Sequence, residues 1–432
     1  MGFRPHPSTG EGLTPRQIED NFTDLTPALN ATQAHVEAAR CLYCYDAPCI
    51  KACPTAIDIP TFIHQIRTEN LKGSAHTILS ANIMGGTCGR ACPTEILCEE
   101  ACVLNARGEE PVKIGALQRH AVEALMAKDG THPFSRAAAS GKTFGVIGAG
   151  PAGLSFAHRA AMLGHDVVVY EAKPKPGGLN EYGLAAYKMA NDFARREVEF
   201  LLGIGGIRIE YGKALGKGVA LAELRKRHDA VFIGAGIGAT NALGIPGEEL
   251  RHVRDALDFI EELRQAKDKS AVKIGRDVVV IGGGNTAIDA AVQAKRLGAA
   301  NVTLVYRRGE ENMSATEWER DLARTNGVVI RTKAKPVRFD TGSATFEQTD
   351  SKQFTLPADM VLKAIGQKLD AVAFGALKIE GSKIAVDPNF QSSIPGVFAG
   401  GDCVTSGVDL TVQAVQDGKL AAIAADKFVR GG

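Results

Sequence analysis

The chain has 432 residues, 45% of them hydrophobic and 23% charged, with a formal net charge of +1. This length predicts roughly two to four domains, and the net charge gives no indication of a nucleic-acid or membrane partner. No apolar run reaches the roughly 20 residues of a membrane helix, and the N-terminus lacks the apolar core of a secretory signal. We therefore expect a cytoplasmic protein that binds neither nucleic acid nor a membrane.

Eight of the nine cysteines lie in the first quarter of the chain, in two groups of four. The groups have the spacings C-x2-C-x4-C-x3-C, followed by Pro54, and C-x3-C-x5-C-x3-C. In a reducing compartment such groups bind metal more often than they form disulfides. Zinc sites or a structural thiol cluster are alternatives, but zinc favours paired short knuckles, and only Cys41 and Cys44 form a good one. We therefore predict iron–sulfur ligation. The eight residues are Cys41, Cys44, Cys49, Cys53, Cys88, Cys92, Cys98 and Cys102.

Residues 1–135 are predicted to be helical, with apolar residues at helical spacing in segments 32–40 and 114–126. This region cannot bury a large core alone, so bound metal must supply much of its folding energy. Residues 128–142 have the composition of a linker. Beyond them, short β-branched runs enter glycine-rich turns and helices. That alternation predicts an α/β architecture with two Rossmann-like dinucleotide-binding domains.

The first glycine-rich turn is GAGPAG, residues 148–153, directly after a predicted strand at 144–147. Its glycines permit a tight turn and the close approach of a pyrophosphate to a helix N-terminus. At the end of the next predicted strand, 167–170, Glu171 can accept a hydrogen bond from a ribose 2′-hydroxyl and would repel a 2′-phosphate. The site therefore suits a dinucleotide without a 2′-phosphate.

Two later features favour FAD at this turn. One is GGL at 177–179, and the other is FAGGD at 398–402, which resembles the segment in which two-dinucleotide flavoproteins hold the ribityl chain with an Asp. A helix starting at Thr411 would point its N-terminus at the pyrimidine end of the flavin. The FAD domain is therefore predicted to be discontinuous, over 141–244 and 369–432. Its predicted FAD residues are Gly148, Gly150, Pro151, Ala152, Gly153, Glu171, Gly178, Leu179, Lys188, Gly401, Asp402 and Thr411.

The second turn, GGGNTA at 282–287, follows a predicted strand at 278–281 and opens a helix. After the next strand, at the position of Glu171 in the first domain, stand Arg307 and Arg308. Two guanidinium groups suit a 2′-phosphate, so we expect NADPH rather than NADH. The alternative is that they face solvent, and two nearby glutamates, Glu310 and Glu311, would weaken their field. The nicotinamide domain is predicted over 245–368, with Gly282, Gly284, Asn285, Thr286, Ala287, Arg307 and Arg308 as its binding residues.

Hydride transfer between stacked rings requires no catalytic acid or base from the protein. Thioredoxin reductases share this architecture but need a C-x-x-C in the nicotinamide domain, and the segment 245–368 contains no cysteine. Cys403 stands alone and is interpreted as a small packing residue. The glycine-rich segments 234–236 and 364–366 are predicted to be the points where the chain crosses between the two domains.

The runs CLYCYDAPCIKACP, TCGRACPTEILCEEAC and IGALQR resemble the N-terminal domain of dihydropyrimidine dehydrogenase and the small subunit of glutamate synthase. The similarity continues through both glycine-rich turns and FAGGD. It implies two [4Fe–4S] clusters, one of them with a glutamine ligand. One set would be Cys41, Cys44, Cys49 and Cys102; the other would be Cys53, Cys92, Cys98 and Gln118. Counting thiols alone would give the last place to Cys88, and that alternative stays open.

The resemblance implies the small FAD/iron–sulfur subunit of a bacterial two-subunit dihydropyrimidine dehydrogenase. Hydride would pass from NAD(P)H to FAD, and electrons would pass through both clusters to FMN on a partner that reduces uracil or thymine. Because the sequence ends at Gly432, just after the FAD domain, we expect a hetero-oligomer, for example α2β2, with an FMN/iron–sulfur catalytic subunit.

Two alternatives to this function remain. The glutamate synthase small subunit shares the motifs but more usually has Glu at the position of Gln118. An iron–sulfur redox sensor would not need two complete dinucleotide sites. Within the preferred function, the bacterial pyrimidine enzymes include NADH users, which conflicts with the two arginines.

Overall fold

The computed structural model describes residues 12–128, 132–369, 374–405 and 408–431. They divide into two compact units. One unit, named the second-loop unit after the glycine-rich turn at 282–287, contains the described residues up to Leu25, Tyr182–Ala190 and Thr240–Gln367. The other, named the cysteine unit after the two cysteine groups, contains Thr26–Glu181, Asn191–Ala239 and the described residues from Lys368 onward. The chain crosses between the units a few residues after each predicted crossing segment. Within the described ranges, no helix combines the length and the apolar character needed to cross a membrane.

The described part of residues 12–128 contains helices and short 3-10 turns but no strand. Polar side chains start several of the helices: Thr14 and Asn30 form capping boxes, and Asp58 and Asn70 accept hydrogen bonds from the first turn of their helices. The helices are α1 (Pro15–Asn21), α2 (Ala31–Ala38), α3 (Pro48–Ala52), α4 (Ile59–Arg67), α5 (Leu71–Ala81), α6 (Gly85–Ala91) and α7 (Ile114–Met126).

An α/β region follows the helices. Its elements are β1 (Thr143–Ile147), α8 (Pro151–Met162), β2 (Asp166–Glu171), α9 (Leu179–Tyr182), α10 (Phe193–Leu202), β3 (Ile207–Tyr211), β4 (Ala214–Leu215), β5 (Gly218–Val219), α11 (Leu221–Arg227) and β6 (Ala230–Ile233). The C-terminal elements are β17 (Ile379–Glu380), β18 (Lys383–Ile384), β19 (Val397–Ala399) and α15 (Thr411–Arg430).

The last long strand of the chain joins the sheet built by the first ones. The order is β19-β6-β1-β2-β3, and every pairing in it is parallel. Ile147 at the end of β1 pairs with Tyr170 on one side and Ile233 on the other, so the strands end at one edge. The turn at Gly148 and the residue Glu171 therefore lie at the same edge of this sheet.

The second-loop unit contains a second five-stranded parallel sheet and a three-stranded antiparallel sheet that the sequence patterns did not predict. The sheet orders are β11-β10-β9-β15-β8 and β12-β13-β14. Its elements are β7 (Ala239–Thr240), β8 (Val253–Asp255), α12 (Ala256–Gln265), β9 (Asp277–Ile281), α13 (Asn285–Leu297), β10 (Asn301–Val305), α14 (Glu317–Thr325), β11 (Val329–Arg331), β12 (Ala334–Asp340), β13 (Gly342–Gln348), β14 (Gln353–Ala358), β15 (Met360–Lys363) and β16 (Gln367–Lys368), counting β7 and β16 at its edges.

Candidate functional site

The first glycine loop packs so closely against neighbouring main-chain atoms that Gly148 and Gly153 leave no room for a side chain. A Cβ at Gly148, which has a φ of +90°, would lie 2.4 Å from the Gly234 carbonyl oxygen, and a Cβ at Gly153 would lie 1.9 Å from the Gly148 carbonyl oxygen. Gly178 lies behind the loop, where a Cβ would be 2.7 Å from the Gly150 Cα. The loop thus holds the N-terminus of α8 at the sheet edge, where its free N–H groups can receive an anion.

Glu171 is anchored at this edge by backbone donors. Its Oε2 accepts a hydrogen bond from the Ala149 N–H and its Oε1 accepts one from the Lys173 N–H, both at 2.7 Å. The side chain is buried, and each carboxylate oxygen retains a further lone pair. The carboxylate is therefore fixed in orientation and can still accept a ribose hydroxyl.

The C-terminal segment places its predicted FAD residues beside the same loop. A Cβ at Gly401 would lie 3.0 Å from the Ala152 Cβ, and the Gly401 N–H donates to Asp417 Oδ2 at 2.9 Å. Burial, with repulsion from neighbouring carboxylates, raises the pKa of Asp402 to about 6. A hydroxyl ligand would relieve this desolvation by donating to the carboxylate.

Sequence reasoning missed two residues that hold this segment. Asn180 accepts a hydrogen bond at its Oδ1 from Thr411 Oγ1, at 3.0 Å, and thereby connects α9 to the first residue of α15. Asp417 on α15 receives the Gly401 N–H. The position of Asn180, directly after the predicted pair Gly178 and Leu179, was the available signal, whereas nothing local marks Asp417.

The second glycine loop is built in the same way within the second-loop unit. A Cβ at Gly282 would lie 2.3 Å from the Ala364 carbonyl oxygen. A Cβ at Gly283, a position not predicted as a site residue, would lie 2.5 Å from the Tyr306 ring. Gly284 precedes α13, and the Asn285 side chain accepts a hydrogen bond from the Thr316 N–H at 3.4 Å. The loop presents the N-terminus of a 13-residue helix.

The two predicted phosphate-binding arginines differ in their surroundings. Both are exposed, but Arg308 Nε donates to the Tyr306 hydroxyl at 2.9 Å. Glu310, expected to weaken their field, is instead paired with Arg324 and lies 3.4 Å from Arg320. Glu310, one of the two glutamates expected to weaken the field of Arg307, is therefore engaged by other arginines.

Lys188, predicted to contact FAD, lies in the second-loop unit between two carboxylates. Its Nζ lies 2.7 Å from Asp289 Oδ1 and also contacts Glu319. Burial alone would lower the pKa of Lys188, but the two carboxylates outweigh it and raise that pKa. One buried cation therefore faces two carboxylates within one unit, and a contact of Lys188 with FAD stays a prediction.

One cavity of the cysteine unit brings together thiols from both sequence groups. It is lined by Cys41, Cys44 and Cys49 of the first group and by Cys102, the last cysteine of the second. Apolar side chains, among them Ile63, complete the wall. Burial raises the pKa of the Cys49 thiol to about 11 and also raises that of Cys41. These thiols would therefore ionise only when a cation or metal balances the thiolate charge.

The remaining thiols form a second group. The pKa of Cys92 is raised first by a hydrogen bond with Cys88, then by burial and by the nearby Cys98 and Cys53. Asn82 Nδ2 donates to Cys88 Sγ at 3.2 Å, so Cys88 is already engaged. The thiols of Cys53, Cys88, Cys92 and Cys98 therefore lie close to one another.

Gln118, the other candidate for the eighth ligand, is buried on α7. Its Nε2 donates to the Gly85 carbonyl oxygen at 2.7 Å, a bond that fixes the orientation of the amide. The second thiol group also includes Cys88, whose Sγ accepts the Asn82 hydrogen bond, and the choice between Cys88 and Gln118 as the eighth ligand stays a prediction.

The donor chemistry fits iron–sulfur clusters. Soft thiolates prefer iron–sulfur clusters, zinc and copper(I). Among the described residues, no three His, Cys, Asp or Glu side chains converge closely enough to hold a single metal ion. Thiolates of a cubane bind different iron atoms and so lie farther apart than the ligands of one ion. Four thiols around one cavity therefore fit the ligand set of such a cluster.

Two family models match the chain. Residues 143–418 match the pyridine nucleotide-disulphide oxidoreductases, and residues 18–130 match dihydropyrimidine dehydrogenase domain II, 4Fe-4S cluster. The NAD-dependent dihydropyrimidine dehydrogenase subunit PreT of Salmonella typhimurium is 34% identical over 95% of this chain and 98% of its own length. The glutamate synthase [NADPH] small chain of Escherichia coli is 30% identical over 94% of this chain and 93% of its own.

Solved structures share the fold. FprA of Mycobacterium tuberculosis in complex with NADPH has a TM-score of 0.57 at 19% identity and covers 67% of this chain and 85% of that chain. Lactococcus lactis thioredoxin reductase has a TM-score of 0.56 at 22% identity, covering 67% of this chain and 100% of that chain. At these identities the similarity concerns architecture alone.

Proposed function

The chain belongs to the pyridine nucleotide-disulphide oxidoreductase family, and we propose that it is the electron-input subunit of a two-subunit dihydropyrimidine dehydrogenase. It is an NAD(P)H-dependent FAD/iron–sulfur oxidoreductase. When bound, FAD accepts a hydride from the nicotinamide, and the clusters carry single electrons to an FMN-containing partner that reduces uracil or thymine. The partner, its stoichiometry and the pyrimidine substrate are the parts of this proposal that go beyond the family.

The observation that carries the proposal is the cavity shared by Cys41, Cys44, Cys49 and Cys102. Cys102 belongs by sequence to the other group, so its position supports two interleaved ligand sets, as the resemblance implies. We assign the first [4Fe–4S] cluster to this cavity. The second is assigned to Cys53, Cys92, Cys98 and Gln118, whose amide is held through its nitrogen.

The dinucleotide residues have separable tasks. The N-terminus of α8 faces the FAD pyrophosphate, Glu171 holds the adenosine ribose, and Asp402 accepts a hydrogen bond from the ribityl chain. The start of α15 at Thr411 faces the pyrimidine end of the flavin. These residues define a discontinuous, Rossmann-like FAD domain over 141–244 and 369–432, with the helical cluster domain at 1–135 and the nicotinamide domain at 245–368.

A second candidate, the glutamate synthase small chain, is favoured by Arg307. Its exposed charge suits the 2′-phosphate of NADPH, and the similar glutamate synthase chain is named for NADPH whereas PreT is named NAD-dependent. Arg308 is partly occupied by Tyr306, which weakens the case for a phosphate clamp. The higher identity to PreT supports the pyrimidine enzyme as first choice.

Purification of the native complex tests the proposal. A tag on this chain should retain an FMN-containing chain, and the complex should oxidise NAD(P)H only when uracil or thymine is added. A large glutamine-hydrolysing partner, with oxidation dependent on glutamine and 2-oxoglutarate, would contradict it. A flavin that NAD(P)H fails to bleach would instead support a redox sensor.

A further inference from the structure

Two cationic side chains from the helices of the FAD region reach the helical cysteine region of the same unit. Lys419 Nζ on α15 donates to the Ala81 carbonyl oxygen at 2.7 Å and lies 3.5 Å from the Thr55 carbonyl oxygen. Arg159 on α8 donates through Nη2 to the Ser80 carbonyl oxygen at 3.0 Å. The two cations line one small cavity. They are therefore held side by side at the end of α5.

This pair of charges is only partly balanced. Neither cation forms an ion pair with a carboxylate among the described residues. The C-terminal carbonyls of α5 supply roughly half a negative charge, against two positive charges. The contact with Thr55 brings Lys419 close to Cys53, two residues earlier in the chain, whose Sγ lies 3.3 Å from Thr55 Oγ1. Burial lowers the pKa of Lys419 to about 8, and Cys53 counteracts this lowering.

We propose that Lys419, with Arg159 beside it, is a positioning residue whose charge raises the reduction potential of the cluster held in part by Cys53. The inference rests on the proposed function, because it takes Cys53 as a cluster ligand. Reduction adds one negative charge to a cluster, and a fixed, half-buried positive charge nearby stabilises that reduced state. Arg40, next in sequence to Cys41 of the other thiol group, is paired with Glu37 at 2.7 Å. The carboxylate of Glu99, next to Cys98 in the chain, opposes the effect of the two cations at the Cys53 cluster, so the proposal concerns the contribution that Lys419 and Arg159 make.

A redox titration of the purified holoprotein tests this without NAD(P)H or a partner. Electron paramagnetic resonance reports the reduced fraction of each cluster, and Cys53→Ser identifies the signal of its cluster. Lys419→Met removes the charge and keeps the chain length, Lys419→Arg keeps the charge, and Lys427→Met removes an exposed charge from the same helix.

At the potential that half-reduces the Cys53 cluster of the wild type, Lys419→Met should lower the ratio of reduced to oxidised cluster about tenfold. For a one-electron couple this corresponds to ~59 mV. Lys419→Arg and Lys427→Met should stay within about twofold of the wild type, since the first keeps the local charge and the second removes only a solvent-screened one.

An unchanged ratio in Lys419→Met, with both clusters present, would overturn the proposal and leave Lys419 as a cap of α5. If Lys419→Met loses a cluster, two other variants take its place: Lys419→Gln, which keeps an N–H donor, and Arg159→Gln. Both should lower the ratio of reduced to oxidised Cys53 cluster. Unchanged ratios in these two variants would also refute the proposal. A wild-type protein without any iron–sulfur signal would reject the ligand assignment of the proposed function and, with it, this inference.

Discussion

Replacing Gly150 or Gly153 of the first loop with alanine should affect different properties of the protein: FAD affinity at Gly150 and folding stability at Gly153. A Cβ at Gly153 would lie 1.9 Å from the Gly148 carbonyl oxygen and 3.1 Å from Val146 Cγ1. Since the closer neighbour is backbone, α8 must shift by roughly 1.5 Å to restore ordinary contact. Overpacking of this kind costs about 1–3 kcal/mol. We expect Gly153→Ala to lower the free energy of unfolding by that amount even without FAD.

Gly150 has room for a methyl group until a dinucleotide binds. Its φ of −83° and ψ of −176° suit alanine, and the nearest atom to a Cβ there would be the Gly178 Cα at 3.7 Å. The FAD-free Gly150→Ala protein should therefore unfold within about 1 kcal/mol of the wild type. The methyl would stand where the pyrophosphate approaches the backbone, so FAD affinity should fall at least about tenfold, ~1.4 kcal/mol.

Denaturant unfolding of FAD-free protein and titration of flavin fluorescence separate the two effects. The reasoning is refuted if Gly150→Ala binds FAD as tightly as the wild type, because the pyrophosphate then does not pass over this position. Equal destabilisation of the two FAD-free variants would also refute it, since Gly150 would then serve packing as Gly153 does.

Three further predictions concern single side chains. Arg307→Ala should raise the KM for NADPH roughly tenfold and leave that for NADH within about twofold, and equal changes in both would show that this arginine does not read the 2′-phosphate. Gln118→Ala should lose one cluster by iron content and spectrum, whereas Cys88→Ala should keep both; loss in the Cys88 variant alone would reverse the ligand assignment. Burial lowers the pKa of His158 to about 3, so the unfolded chain binds the proton more tightly and stability falls as the pH drops from about 6.5 toward 3. At pH 5 the free energy of unfolding is lower by about 2 kcal/mol for this reason. Denaturant unfolding at pH 7.5 and 5 should show that His158→Phe loses less stability on acidification than the wild type, by that amount. An identical loss in both proteins would falsify the lowered pKa of His158.

Local patterns predict the parts of this fold that local forces determine. Strands predicted at 144–147 and 278–281 are observed as Thr143–Ile147 and Asp277–Ile281, since a β-branched run ending in glycine specifies both the strand and its turn. The helix predicted at 114–126 has the same bounds in the structure, because its apolar spacing repeats over three turns.

Features that depend on distant contacts could not be predicted from the sequence. The antiparallel sheet β12-β13-β14 consists of half-buried strands with mixed polarity, so its alternation is weak. The carboxylate partners of Lys188 lie 101 and 131 residues away, at positions 289 and 319. No local pattern encodes such pairings. The grouping of Cys102 with the first three cysteines was likewise not given by spacing, and only the family resemblance predicted it.

The cavity that Cys102 shares with Cys41, Cys44 and Cys49 also constrains how the protein is made. Three of the four thiols leave the ribosome early, but the site cannot close until the fourth, more than fifty residues later, has emerged as well. The other proposed ligand set runs from Cys53 to Gln118, so it too is incomplete until a late part of this region has been made. With the ligand sets proposed above, iron–sulfur delivery to this chain would be a late step that fills both sites almost together.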